Sequence, residues 1–179
     1  TAGVVFGGSG GASDANVNNE SEEYNGTSFS EGNNLNTSRS AICGDGSQTA
    51  AFAAIGYLGP PGANSSAFEH YDGTSWTNST SLPSYPSAFS AGASGGTQTA
   101  ALAFAGRGPG YLSITASYDG STWSTRPSMA TARSMVGGTG TTSSAFVTGG
   151  EITASPSLQT ATEEFTGEIP ALGYKTLTS

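Results

Sequence analysis

Tyr71-Asp72-Gly73-Thr74-Ser75-Trp76 places an Asp-Gly step between two aromatic residues. Asp and Gly tolerate positive φ, so such a step flanked by strand-forming residues is a strong hairpin signal. The same wording occurs at Tyr118-Asp119-Gly120-Ser121-Thr122-Trp123, and at Tyr24-Asn25-Gly26-Thr27-Ser28-Phe29 with Asn for Asp and Phe for Trp. A shortened fourth copy is Phe165-Thr166-Gly167. The leading aromatics Tyr24, Tyr71, Tyr118 and Phe165 are each 47 residues apart. Four copies at constant spacing define an internal repeat.

Two further markers recur with it. Thr1–Gly8, Thr49–Gly56, Thr99–Gly106 and Ser143–Gly150 are small, apolar runs that end in glycine. Leu35, Leu82 and Met129, followed by Arg39, Pro86 and Arg133, again keep the interval of 47. Each repeat therefore reads as four short strands. The first is built of small residues (Ala88–Gly96, Ser134–Gly140), and the second is the glycine-ending run. The third ends in the Tyr, and the fourth starts with the Trp or Phe. Strand-sized runs divided by turn clusters, without 3.6-residue periodicity, predict an all-β chain.

The glycine pair closing the second strand, the Tyr of the third and the Trp of the fourth resemble the kelch motif. Gly7-Gly8 and Gly149-Gly150 keep the pair, while Ile55-Gly56 and Ala105-Gly106 do not. The wording Tyr-Asp-Gly-Thr-Ser-Trp followed by Gly-Thr-Gln-Thr-Ala-Ala-Leu-Ala-Phe is also similar to kelch-type repeats in virion proteins of marine tailed phages, especially those of cyanobacteria. The resemblance implies a β-propeller of four kelch-like repeats, with residues 1–179 forming one domain. It is compatible with a closed four-bladed ring or with the C-terminal part of a six- or seven-bladed ring. In the four-bladed case, Tyr174–Thr178 should pair beside Val4–Gly7 and supply the inner strand that the first repeat lacks.

Composition restricts function more than it identifies it. Ser, Thr and Gly fill 78 of 179 positions, charged residues make up 10%, and net charge is −8 with Lys175 the single lysine. An acidic chain lacks the basic footprint that nucleic acid requires, so no nucleic-acid partner is expected. No apolar run approaches the ~20 residues of a membrane-spanning helix, and no membrane insertion is expected. One cysteine (Cys43) and one histidine (His70) leave no intrachain disulfide and no Cys/His metal set, so no cofactor or metal is expected.

Residues that repeat with the period are read as serving the repeat. Trp76, Trp123 and Phe29 are expected between neighbouring blades, Asp72 and Asp119 in turns, and His70 on a strand surface. Glu22, Glu69 and Glu163 share a column in which Ala116 stands third; they read as exposed charges or as partners of an arginine, Arg39 and Arg133 being column-equivalent. The segments between second and third strands differ most (Gly7–Ser21, Gly56–Ser66, Gly106–Ile114, Gly149–Gln159), and variable loops on a repeated scaffold are where binding resides. Tyr57, Leu58, Arg107, Tyr111 and Leu112 are the candidate binding residues there, Tyr and Arg being enriched at interfaces. The chain reads as a non-enzymatic structural or recognition module, virion-borne or extracellular, with protein partners or surface glycans and a virion oligomer as its setting. A carbohydrate-binding propeller is the alternative, and a glycosidase or sialidase fits least.

Overall fold

The three Asx-Gly turns form as their chemistry dictates. Asp72 Oδ1 accepts the N–H groups of Thr74 and Ser75 at 2.8 Å each. Asp119 Oδ1 accepts those of Ser121 (2.9 Å) and Thr122 (2.8 Å), and Asn25 Oδ1 those of Thr27 (2.9 Å) and Ser28 (3.1 Å). These backbone donors hold both Asp carboxyls below the usual range. The aspartates are turn builders.

The computed structural model describes residues 2–10, 16–61, 64–83, 93–152, 157–167 and 174–177. They form four antiparallel sheets in chain order, with no helix among them. Sheet one contains β1 (Gly3–Phe6), β2 (Ser21–Tyr24) and β3 (Phe29–Glu31). Sheet two contains β4 (Cys43–Ser47), β5 (Ala50–Tyr57), β6 (Asn64–Tyr71) and β7 (Trp76–Asn78). Sheet three contains β8 (Ala93–Thr97), β9 (Ala100–Phe104), β10 (Thr115–Tyr118) and β11 (Trp123–Arg126). Sheet four contains β12 (Gly137–Gly140), β13 (Ser144–Thr148), β14 (Thr162–Thr166) and β15 (Tyr174–Leu177). Within each sheet, sequence neighbours are spatial neighbours. The predicted first strand Ala88–Gly96 is seen from Ala93 onward; its earlier part and Pro86 lie outside the described residues.

The C-terminal strand corrects one expectation. Tyr174–Leu177 does not lie beside Val4–Gly7; it pairs with β14, Phe165 opposite Tyr174 and Thr162 opposite Leu177. Phe165–Tyr174 is the register counterpart of Tyr71–Trp76 and Tyr118–Trp123. Tyr174 is thus the fourth-strand aromatic of its sheet, reached through a longer connection than the Asp-Gly turn. Among the described residues sheet one has three strands, and the ends of the chain lie on different sheets.

Neighbouring sheets bury one face each. Val4 and Phe6 of β1 pack on Ala51, Ala53, Tyr71 and Trp76 of sheet two. Phe52, Ala54 and Phe68 of sheet two pack on Ala101, Ala103, Tyr118 and Trp123 of sheet three. Leu102 and Phe104 of sheet three pack on Ala145, Val147 and Phe165 of sheet four. Trp76 meets Phe6 edge-on at 4.8 Å and Trp123 meets Phe68 at 4.9 Å. Both tryptophans are therefore inter-sheet packing residues. Phe29, their counterpart in sheet one, is 57% exposed; no described sheet covers that face. His70 also departs from expectation, lying in the same interface against Phe68 (4.7 Å) and Tyr118 (5.9 Å). Burial lowers its pKa below 6.5. Cys43 is buried in that core, and desolvation pushes its thiol up to about 12, which removes the thiolate needed for reactivity.

The glycine pair is a backbone requirement. Its first position has φ of 63° at Gly7, 53° at Ile55, 64° at Ala105 and 69° at Gly149. Its second is Gly8, Gly56, Gly106 and Gly150, all at positive φ. Ile55 and Ala105 thus accept the left-handed conformation although they lack the glycine that favours it. At Ile55 the strand bulges, the β5–β6 register shifting between Ala54 and Gly56.

Two buried ion pairs lock the connectors between sheets. Arg39 Nη1 donates to Glu69 Oε1 and Arg133 Nη2 to Glu163 Oε1, each at 2.5 Å, with both arginines fully buried. The other carboxylate oxygen accepts a backbone N–H, from Asn36 to Glu69 and from Ala130 to Glu163, both 2.7 Å. The glutamate column is therefore an arginine-partner column at these two sheets. In sheet three Ala116 replaces the acid, and the corresponding connector residue is Pro86: acid and base are lost together.

Three outcomes are expected. Gly56→Ala should destabilise the chain, since φ is 135° and a Cβ would lie 2.8 Å from Ser40 O; the backbone term alone is of order 1–3 kcal/mol, read from denaturant midpoints. Arg133→Met should cost roughly 3–5 kcal/mol by stranding Glu163, whereas Arg133→Met with Glu163→Leu should cost less than the single change; equal losses would contradict the pair. For His70, the folded state prefers the neutral ring, so stability is full above the unfolded pKa of about 6.5 and falls as pH drops through it. Melting temperature should fall between about pH 7 and 5.5, and that part of the fall should vanish in His70→Gln.

Candidate functional site

The residue after each glycine pair emerges at the same end of its sheet. These residues are Ser9, Tyr57, Arg107 and Glu151. Each makes an isolated β-bridge immediately beyond its strand or at its last residue: Ser9 with Val17, Tyr57 with Ser40, Arg107 with Tyr111, Glu151 with Ser134 and Leu158. In sheets one, three and four the regular strand ends just before the left-handed pair, whereas in sheet two it runs on through a bulge to Tyr57, opposite Asn64. Ser40 and Tyr57 exchange N–H···O bonds of 2.9 Å in both directions, and Ser134 and Glu151 do so at 3.1 and 2.9 Å.

Two of these positions meet. A tight loop is closed by Gly108 N–H to Gly110 O (2.8 Å) and Leu112 N–H to Gly106 O (2.9 Å). It folds Arg107 back so that its guanidinium carbon lies 5.3 Å from the centre of the Tyr111 ring. Arg107 Nη1 is 3.6 Å from Glu151 Oε1. The same oxygen accepts the Tyr111 hydroxyl at 3.2 Å and the Ser134 hydroxyl at 3.4 Å. Desolvation, then the bond to Glu151, raises the Tyr111 pKa. Leu112 O accepts the Arg133 N–H at 3.1 Å, which ties the loop to the connector into sheet four.

Of the candidate binding residues Tyr57, Leu58, Arg107, Tyr111 and Leu112, the structure brings Arg107 and Tyr111 together and adds Glu151 from the next sheet. Tyr57 is the last residue of β5 rather than a loop residue, and it and Leu58 are partly buried at the exit of sheet two. Glu151 was legible as the residue after Gly149-Gly150, the same column as Tyr57 and Arg107. Chemically the cluster offers a stacked guanidinium, 39% exposed, and an aromatic hydroxyl on a carboxylate. This arrangement suits recognition of polar groups. Among the described residues, no three His, Cys, Asp or Glu side chains converge as a metal set would.

No family model matches the chain, and no curated protein matches it. Among solved structures it is similar to one described as "Structure of YjhT", with a TM-score of 0.72 and 13% identity over 90% of this chain and 53% of that one. The chain thus spans about half the length of that neighbour. At this identity the likeness concerns the fold alone.

Proposed function

We propose that the chain is a non-enzymatic recognition module. In this reading the four sheets are consecutive blades of a kelch-like β-propeller, and the loop face carrying Tyr57, Leu58, Arg107, Tyr111, Leu112 and Glu151 binds a partner. Its setting is extracellular or on a virion, in keeping with the resemblance of its repeats to phage kelch-type repeats. The side-by-side first strands β4, β8 and β12 support a propeller arc, as does the Thr139 Oγ1 to Asp45 Oδ2 bond of 3.3 Å that joins sheets four and two past β8.

One observation carries the functional part. Buried Arg39, Arg133, Glu69 and Glu163 are consumed by the scaffold, whereas the post-glycine column changes chemistry from sheet to sheet: Ser9, Tyr57, Arg107, Glu151. Change of chemistry at the loop end of a repeated frame is the pattern of a binding surface.

A protein partner fits better than a stacked sugar. One face of the Tyr111 ring is already occupied by Arg107, so the aromatic platform a sugar needs is partly taken. Tyr and Arg held rigidly at an interface are typical anchors for proteins. A glycan reading keeps the same residues, through hydroxyl contacts to Arg107 and Glu151.

The test is a selection of peptide-display and glycan-array binders against the immobilised chain. Tyr111→Ala and Arg107→Ala should leave the melting transition within about 1 kcal/mol, because the pair is partly exposed. They should weaken the selected binders tenfold or more. Binders that hold both variants as tightly as the parent would place recognition elsewhere.

A further inference from the structure

We propose that Asn25 is a site of spontaneous deamidation, with water as co-reactant, and that the turn it builds promotes the reaction. The three Asx-Gly turns share one geometry but not one chemistry. Asp72 and Asp119 carry an acid, whereas Asn25 carries a carboxamide beside Gly26. Of the nine asparagines in the chain, Asn25 alone precedes glycine.

The reaction begins when the Gly26 nitrogen attacks Cγ of Asn25. A bond forms between them, the Gly26 proton passes to a solvent base, and the Cγ–Nδ2 bond breaks. The Nδ2 nitrogen takes up a proton and leaves as ammonia, and a five-membered succinimide remains. Water then opens the ring. Attack at the side-chain carbonyl gives aspartate, and attack at the main-chain carbonyl gives isoaspartate. One water is consumed and one ammonia released, with no oxidation or reduction.

The turn supplies what each step needs. Residues 25–28 are exposed, so water and base reach them. Gly26 has no Cβ to crowd its nitrogen, and its N–H meets no acceptor among the described residues. The leaving group is barely held: Asn25 Nδ2 has Ser28 Oγ at 3.5 Å. Other amides are anchored through the same atom, Asn19 to Leu35 O at 2.9 Å, Asn33 to Thr74 O at 2.6 Å and Asn36 to Glu69 Oε2 at 2.9 Å. Oδ1 of Asn25 already accepts the N–H groups of Thr27 and Ser28 at 2.9 and 3.1 Å. Negative charge develops on that oxygen as the tetrahedral intermediate forms, and donors placed beforehand stabilise it.

The aspartate product suits the place. Oδ1 of Asp72 and of Asp119 takes the same pair of donors at 2.8–2.9 Å, and hydrogen bonds to a charged acceptor are the stronger ones. The hairpin that sets Tyr24 opposite Phe29 is kept, and the chain gains one negative charge. Isoaspartate instead inserts a methylene into the main chain between Tyr24 and Phe29.

The test incubates the full chain and the free hexapeptide Tyr-Asn-Gly-Thr-Ser-Phe, which copies residues 24–29, in the same mildly alkaline buffer. Loss of amide is followed by peptide mass spectrometry, and isoaspartate by enzymatic methylation. In the full chain Asn25 should convert before the other asparagines, at a rate equal to or above that of the hexapeptide. Gly26→Ala should slow the loss by about tenfold or more, in the chain and in the hexapeptide alike, because a Cβ crowds the attacking nitrogen. Asn25→Asp should melt no lower than the parent and elute with the aspartate product on anion exchange. Slower loss in the full chain than in the hexapeptide would overturn the proposal, since the turn would then shield the amide. Earlier conversion of another asparagine, or a lower melting temperature for Asn25→Asp, would overturn it as well.

Discussion

A single backbone hydrogen bond, made three times, sets how one sheet follows another. The N–H groups of Leu35, Leu82 and Met129 donate to the carbonyls of Asn19, Ser66 and Ser113 at 2.8, 3.0 and 2.7 Å. Each reaches back sixteen residues to the chain just before or at the start of the third strand of the sheet it has left. The side chains of all three are buried. The connector is thereby fixed against its own sheet before it starts the next one, and the following first strand has little freedom in where it begins. Arg39 and Arg133 extend the same clamp. Their backbone bonds reach the loops of the preceding sheet, through Asn18 and Gly8 for Arg39 and Leu112 and Gly106 for Arg133. Their side chains pair with a glutamate of the following sheet.

Given that clamp, the face each sheet shows its neighbour is determined. The large residues of one second strand (Phe52; Leu102 and Phe104) oppose the alanines and valine of the next (Ala101 and Ala103; Ala145 and Val147). Large against small lets sheets approach closely without overpacking. The same rule explains the exposed apolar residues at the two ends of the series. Val5 belongs to the small-residue column and Phe146 to the large one, and they are 52% and 43% exposed because no described sheet lies against either. The faces that stay open at either end are two halves of one interface type.

Much of this was readable because the residues that make the repeat are local and periodic. The Asx-Gly turns, the packing role of Trp76 and Trp123, and three first strands against four second and third strands follow from spacing and turn chemistry. The misreadings share a cause: each depends on which sheet lies alongside. His70 shares a strand face with Phe68, opposite to that of Tyr71, and only the placement of sheet three shows that its face is an interface. Phe29 carries the same signal as the tryptophans and is exposed for want of a neighbour. Tyr174 has no Asp-Gly turn before it, so its identity as a fourth-strand aromatic emerges only from its register opposite Phe165. Glu151 was visible in principle, since its column includes Tyr57 and Arg107, but a column of unlike residues is not found by searching for likeness.

At Ile55 and Ala105 the chain tolerates non-glycine residues in a left-handed conformation, a cost of roughly 1–2 kcal/mol each. The conformation persists because the connector hydrogen bonds around it over-determine the backbone: Gly106 N–H is held by Arg133 O at 3.0 Å and Tyr57 N–H by Ser40 O at 2.9 Å. The residue that follows is delivered to the loop face by these bonds and not by its own side chain. Tyr, Arg and Glu can therefore occupy equivalent places in successive sheets while the scaffold beneath them stays the same. Identity at that column is not dictated by the scaffold, and Arg107 and Glu151, 3.6 Å apart, are adjacent members of it that reach each other.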